Sequence, residues 1–333
     1  MESLYRSYAH HLRQTYGQAV YRIGIDAHFS CPNRQPDGSG GCAFCDGTGS
    51  ASTYLRQHES RFMHDSAFQR EVSEKVGRKP LTLERRIELI GKQVKRGKQF
   101  IRSRYRSDSF SLYYQAYTNT YDPVDVLKAL YDAGLENGPF VELIVSTRAD
   151  CINDEVVALL ASYRTRVKRV WVELGLQTSD EQSLSLLGRN DSVERYISAV
   201  NSLHSAGIGV CTHVILGLPG EGKDAFMRTA LLLNQVQSEA VKIHNLHVCG
   251  GTRLEGWYRQ GEVSVASMRR HVEHSIHFLR FLNPSMVIER MMCETPSHRL
   301  VSPRHFADKH QFLEAVRCGM SEHGYRQGDR YAR

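Results

Sequence analysis

The sequence predicts an α/β fold built on a parallel sheet, and three observations carry that prediction. From residue 21 to residue 248, short apolar runs alternate with longer amphipathic stretches, separated by turn residues. Strand followed by helix, repeated six times, builds a parallel sheet with right-handed crossovers. The composition, 41% hydrophobic and 24% charged over 333 residues, suits a globular chain with one large core.

The runs YRIGIDAHF (21–29), FSLYYQAY (110–117), VELIVST (141–147), RVWVELGLQ (169–177), GVCTHVILG (209–217) and VKIHNLHV (241–248) read as strands. Helices are expected near 83–98, 123–135, 153–164, 193–206 and 222–238, the first two opened by Thr82 and by Asp122-Pro123. Beyond residue 250 the rhythm changes to a helix near 265–282, a strand at 286–292 and a last helix near 305–323. The expected organisation is a core over 1–250 and an extension over 251–333 packed on it, ending in a basic tail, GYRQGDRYAR, that should fray. Alternation alone fits an open doubly wound sheet or a partial barrel. Both place chemistry at the carboxyl ends of the strands.

Basic residues number 43 against 36 acidic, a formal charge of +7. Within the core, segment 78–106 holds eleven Lys or Arg and only Glu84 and Glu88 as acids, which favours a polyanion partner; a solvated helix face is the plainer alternative. No stretch has the apolar core of a signal peptide, and none approaches the roughly 18 apolar residues of a membrane span. A cytoplasmic location without membrane partners is therefore expected.

In that compartment thiols stay reduced, so grouped cysteines read as a metal or catalytic site. Cys31, Cys42 and Cys45 stand in HFSCPNRQPDGSGGCAFCDG, directly after the first strand, with a glycine-rich Asp37–Gly41 stretch that lets the backbone curl. A second CxxC, which a zinc ribbon requires, does not occur. His28 could complete a closed Cys3His zinc site. A [4Fe–4S] cluster held by three cysteines instead leaves one iron without a protein ligand, open to a small molecule. The scattered Cys151, Cys211, Cys249, Cys293 and Cys318 read as small buried hydrophobes, with no role assigned.

The stretches CPNRQPDGSGGCAFC, YYQAYTNTY, STRADC, VELGLQT, ILGLPGE and VKIHNLHV, spread over residues 16–320, resemble the radical S-adenosylmethionine (SAM) superfamily. More narrowly they resemble its bacterial YhcC-like branch, related to the radical SAM core of Elp3. The resemblance implies a partial (β/α)6 TIM-like barrel with a C-terminal α/β extension. It implies a [4Fe–4S] cluster on Cys31, Cys42 and Cys45, with SAM chelating the open iron. An electron from a flavodoxin- or ferredoxin-type donor would cleave SAM to methionine and a 5′-deoxyadenosyl radical, which abstracts a substrate hydrogen.

Glu173, Gly175 and Gln177 share one face of the fourth strand, and a polar pair buried there needs partners. By resemblance Glu173 and Gln177 contact SAM or its immediate surroundings; a satisfied core network is the alternative. The resemblance likewise implies that Gln115, Tyr117 and Thr118 meet the methionine end, and that Ser146, Thr147 and Arg148 meet the ribose or the methionine carboxylate. Phe44 and Gly217 complete the cofactor contacts, Gly217 beside the adenine.

GLPGEGKD (217–224) matches seven positions of a phosphate-binding loop, but Asp224 replaces the hydroxyl residue that holds Mg²⁺. Lys242 and His244 point to one side of the sixth strand, and with His213 they are substrate-pocket candidates. His247 joins them more weakly, since a single histidine is more often structural. No residue is singled out as catalytic.

Elp3 relatives act on the wobble uridine of tRNA, and the branch is linked to conversion of carboxymethylaminomethyl-uridine towards aminomethyl-uridine. The basic segment fits a tRNA partner. Lys242 or Arg148 would hold the carboxymethyl carboxylate. A radical SAM enzyme on a small metabolite and a non-catalytic, zinc-stabilised nucleic-acid-binding protein are the alternatives.

Overall fold

The computed structural model describes residues 4–35, 39–46, 81–304, 306 and 308–331. Seven parallel strands make one curled, half-barrel sheet in the order β1-β2-β3-β4-β5-β6-β8. They are β1 (Tyr21–Ile25), β2 (Phe110–Tyr114), β3 (Glu142–Thr147), β4 (Arg169–Gln177), β5 (Gly209–Leu216), β6 (Ala240–Asn245) and β8 (Val287–Arg290). A short antiparallel ribbon, β7 (Val248–Cys249) with β9 (Leu300–Ser302), lies beyond β6.

Side-chain alternation decides which residues face which way. Leu143, Val145, Val172, Leu174, Val241 and Ile243 point outward into the main core beneath the helices. Tyr113, Ile144, Trp171, Cys211, Ala240 and Val287 point inward and form a smaller apolar cluster inside the curl.

Helix α1 (Tyr8–Tyr16) precedes β1, and α2 (Leu83–Tyr105) crosses from β1 to β2. Thr82 caps α2 by accepting from the Arg85 amide, and Ile90, Val94, Gly97 and Ile101 form its buried stripe. The later crossovers use α3 (Val124–Leu135), α4 (Asp154–Ser162), α5 (Glu181–Leu186) with α6 (Val193–Ser205), and α7 (Lys223–Gln235). Helices α8 (Arg253–Arg259) and α9 (Met268–Phe281) lead into β8, and α10 (Lys309–Glu322) follows β9.

The structure departs from the sequence reading at three places. The strand expected at 286–292 does not stay in a separate extension: as β8 it pairs in parallel with β6, so the six strands expected in the sheet become seven. Two charged residues, Glu289 and Arg290, stand inside that strand and weaken its signal. Next, α1, α5 and α8 are added; α5 and α8 have six and seven residues, too few to show a helical period.

Lastly, the tail does not fray through Tyr331. Gln327 accepts from the Arg6 amide at 2.8 Å and donates to the carbonyls of Asn283 and Met286, each at 2.8 Å. Arg280 pairs with Asp329 at 2.8 Å. These bonds tie the tail to the N-terminal segment beside β8.

Candidate active site

The cysteine loop leaves the carboxyl end of β1 and is pinched by its own backbone. The Arg34 amide donates to the Cys31 carbonyl (2.9 Å), the Gly41 amide to Asn33 (2.6 Å), and the Cys45 amide to Cys42 (2.9 Å). Gly40 and Gly41 sit at φ +79° and +87°, where a side chain is strained, and a Cβ at Gly40 would lie 3.2 Å from the Asn33 carbonyl oxygen. Asp37 and Gly38 lie outside the described residues.

The CxxC turn is anchored by its neighbours. The Ala43 amide donates to Leu187 (2.8 Å), and its carbonyl accepts from the Leu254 amide (3.0 Å). Asn33 Nδ2 and Arg189 Nη1 approach the Cys42 sulfur at 3.5 and 3.7 Å. Burial pushes the Cys45 thiol up, and the Arg34 guanidinium beside it works against that rise.

Above the apolar cluster the curl encloses a cavity of about 610 Å³. Phe44, Cys45, Gln115, Tyr117, Ser146 and Gln177 line it, as do His213, Lys242, His244 and His247. Tyr117 and Gln177 hold positive φ, +61° and +79°, at the carboxyl ends of β2 and β4, which marks backbone constrained for placement.

Other candidates from the sequence sit behind this wall. Thr118 is buried with its amide on Ser30 (3.1 Å), and the Thr147 hydroxyl meets that of Thr120 (2.6 Å). Arg148 is committed to Asp150 (2.8 and 2.7 Å) and to the carbonyls of Arg189 and Asn190 (3.0 and 3.2 Å). Gly217 sits at φ +90°, and a Cβ there would stand 3.8 Å from Ala266 and 3.9 Å from His274.

The cavity floor is an ion-pair network. Glu173, fully buried, accepts from Arg22 Nη1 (2.6 Å), the Tyr113 hydroxyl (2.6 Å), His213 Nε2 (2.8 Å) and Lys242 Nζ (2.7 Å). Glu289 faces the same two cations, Arg22 at 2.9 Å and Lys242 at 3.3 Å. Burial alone would raise the Glu173 carboxyl, but Lys242, Arg22 and His213 hold it well below the usual carboxylate range. Burial also disfavours charge on His213, with Lys242 adding to the effect, so it serves Glu173 as a neutral donor.

Among the described residues, Glu173, Cys211 and Glu289 place ligand atoms within 4.8 Å of one another. Their carboxylates already face Arg22 and Lys242, so the group is an ion-pair core and not a cation cage.

Comparison with known proteins gives this site its family. The Radical SAM superfamily profile matches residues 32–233, and the Radical SAM C-terminal domain matches 238–322. The chain belongs to the radical SAM superfamily. It is 30% identical to the uncharacterized protein YtqA of Bacillus subtilis over all of this chain and 94% of that one. It is 26% identical to the protein YhcC of Escherichia coli over 97% of this chain and 94% of that one. A tRNA uridine(34) acetyltransferase of Methanocaldococcus infernus is 33% identical over 37% of this chain and 23% of its own length. The solved structure of Methanocaldococcus infernus Elp3 superposes at a TM-score of 0.62, with 21% identity, over 74% of this chain and 62% of that one. This radical SAM protein is thus of the YhcC-like branch, related to Elp3.

Its cofactors are a [4Fe–4S] cluster and SAM, and the donor set fits them. Among the described residues, the three loop sulfurs do not all fall within 4.8 Å of one another. Zn–S bonds of about 2.3 Å would draw tetrahedral thiolates to roughly 3.8 Å apart, so the spread suits a cluster better than one ion. The cavity opens from Cys45 and is large enough for a cofactor and part of a substrate.

Arg22, Tyr113, Glu289, Arg290, Arg34 and Arg189 escaped the sequence reading. Charges in the inward register of apolar runs, Arg22 in YRIGI and Glu289-Arg290 in MVIERMM, were the signals available. Cys249 and Cys293 line the cavity, whereas Cys318 is exposed, against the expectation of burial.

Proposed function

We propose that this radical SAM enzyme modifies the wobble uridine of tRNA, taking carboxymethylaminomethyl-uridine towards aminomethyl-uridine. Cys31, Cys42 and Cys45 would hold the cluster, and Gln115, Tyr117, Ser146 and Gln177 would line the SAM site. When bound, that pair of cofactors supplies a one-electron cleavage and abstraction of a substrate hydrogen, with a flavodoxin- or ferredoxin-type protein as electron donor. The ion-paired floor keeps its charges fixed and bulk water out from beneath the reacting centre.

One observation carries the tRNA reading. Helix α2 and its C-cap carry exposed Lys95, Arg96, Arg104 and Arg106, none with a carboxylate partner among the described residues. Tyr105 of the same helix, stacked on Tyr21 with ring centroids 4.5 Å apart, lines the cavity. Unneutralised cations beside an aromatic platform suit a phosphate backbone with unstacked bases. Part of the chain is also similar to a protein named as a tRNA uridine(34) acetyltransferase.

Mass spectrometry of wobble nucleosides from a strain lacking the protein tests the reading. Carboxymethylaminomethyl-uridine should accumulate at the expense of aminomethyl-uridine. An unchanged profile would reject tRNA and favour a small-metabolite substrate, whose turnover is nearly insensitive to salt.

A further inference from the structure

Four cationic side chains line the cavity: Arg22, Lys242, Arg290 and Arg299. Three are neutralised. Arg22 and Lys242 share Glu173 and Glu289, and Arg299 holds Asp46 at 2.8 Å. Arg290 is different: among the described residues no carboxylate lies within ion-pair distance of it.

Its Nη2 approaches the His244 ring nitrogens at 3.3 and 3.5 Å, and its Nε is buried without a hydrogen-bond partner. Burial and Arg290 itself hold His244 well below the usual imidazole range, so that ring is neutral and offers a lone pair but no charge. Arg22 and Lys242 are thus balanced by Glu173 and Glu289, whereas Arg290 beside them has no ion-paired acid among the described residues; Glu294 also lines the cavity but makes no ion pair with it. A half-buried guanidinium without a counter-charge is still costly. It is tolerated where a ligand supplies the missing anion.

We propose that Arg290, framed by His244 on the cavity wall, is the anchor for a carboxylate monoanion of the substrate. One unpaired guanidinium favours a monoanion over a phosphate dianion, and its planar fork of donors matches a carboxylate. The proposal rests on the tRNA reading only for which carboxylate this is, namely that of the carboxymethyl group. It replaces Lys242 and Arg148 in that role, because each already holds a carboxylate of this chain.

The probe is N-acetylglycine, with its amide as the uncharged control, titrated onto the reconstituted full-length protein by saturation-transfer NMR. N-acetylglycine should bind and the amide should not. Arg290→Gln should weaken binding by about tenfold, consistent with loss of a charge-assisted pair, and Arg290→Lys should restore part of it. Glu289→Gln should tighten binding by about threefold, because it removes a negative charge beside the anchor, whereas simple damage to the fold would weaken it.

Absence of binding to the unaltered protein, equal binding to Arg290→Gln protein, or displacement by an equal concentration of inorganic phosphate would overturn the anchor. If binding depends on Arg290 while wobble nucleosides are unchanged in the deletion strain, only the tRNA reading falls. If the nucleosides change but binding ignores Arg290, only the anchor falls.

Discussion

Lys242 Nζ, on β6, lies 2.7 Å from Glu173 Oε2, on β4, across the inside of the half barrel. The side chains are 5% and 0% exposed, so neither charge can be compensated by bulk water. Arg22 and Glu289 complete a four-charge network, which makes each member costly to remove singly.

Glu173→Gln should therefore destabilise the protein by about 3–5 kcal/mol, since it leaves two buried cations sharing the one carboxylate of Glu289. Urea unfolding checks this, and a loss under about 1 kcal/mol would show that the network relaxes freely. The pH dependence has a definite sign. The folded carboxyl lies below its unfolded value, so its stabilisation is present above about pH 4.5 and is lost as the pH falls beneath that. The acid limb should flatten in the Glu173→Gln protein.

His247 and His271 give a second, milder acid limb. Burial lowers both to about pKa 4, and His271 binds the Met291 carbonyl at 2.8 Å as a neutral ring. The unfolded chain takes up these protons first, so stability is full above about pH 6.5 and falls between there and pH 4, by roughly 3 kcal/mol per ring. A His271→Gln variant should show a shallower slope over that interval, and an unaltered slope would place the ring elsewhere.

Replacing any one of Cys31, Cys42 and Cys45 by alanine should abolish SAM cleavage and reduce bound iron and acid-labile sulfide. Anaerobic purification with metal analysis reads this directly. A colourless protein with about one zinc and no iron would instead support a closed zinc site.

Arg189 donates to the Cys42 sulfur and also holds the Gly175 carbonyl at 2.5 Å. Donors to a cluster sulfur stabilise the reduced state, so Arg189→Met should lower the cluster potential with iron content retained. An EPR-monitored redox titration measures the shift; a potential unmoved or raised would show that Arg189 does not act on the sulfur.

Gly134→Ala tests the packing behind β2. A Cβ there would stand 2.2 Å from the Tyr114 hydroxyl and 2.8 Å from a Leu112 methyl, both fully buried. Displacing Tyr114 would also break its 2.6 Å bond to the Leu130 carbonyl, so a loss of about 1–3 kcal/mol is expected in thermal unfolding.

Much of this was legible in the residue order. Strands β1 to β6 appear where apolar runs stand, and Thr82 caps the helix it was expected to open. Lys242 and His244 both reach the cavity, as their i, i+2 spacing requires. Strand β8 was legible as a strand but not as a member of the sheet, because pairing partners 47 residues apart, such as Ala240 and Val287, leave no local trace. Arg148 shows the same limit. Its place after β3 suggested ligand binding; Asp150 and the carbonyls of Arg189 and Asn190 take up Nε and Nη2, while Nη1 is buried without a hydrogen-bond partner among the described residues.

By itself the sequence determined the strand and helix periods, the cysteine spacing and the family, because each is written in short-range order. The tertiary structure alone decided which charges meet. Arg22, Glu173, Lys242 and Glu289 come from four separate strands, and only the curl of the sheet brings them within bonding distance and leaves Arg290 without a partner acid among the described residues. Burial then sets the energy of those meetings, since the strength of a charge pair depends on the surrounding medium, a property of the folded whole.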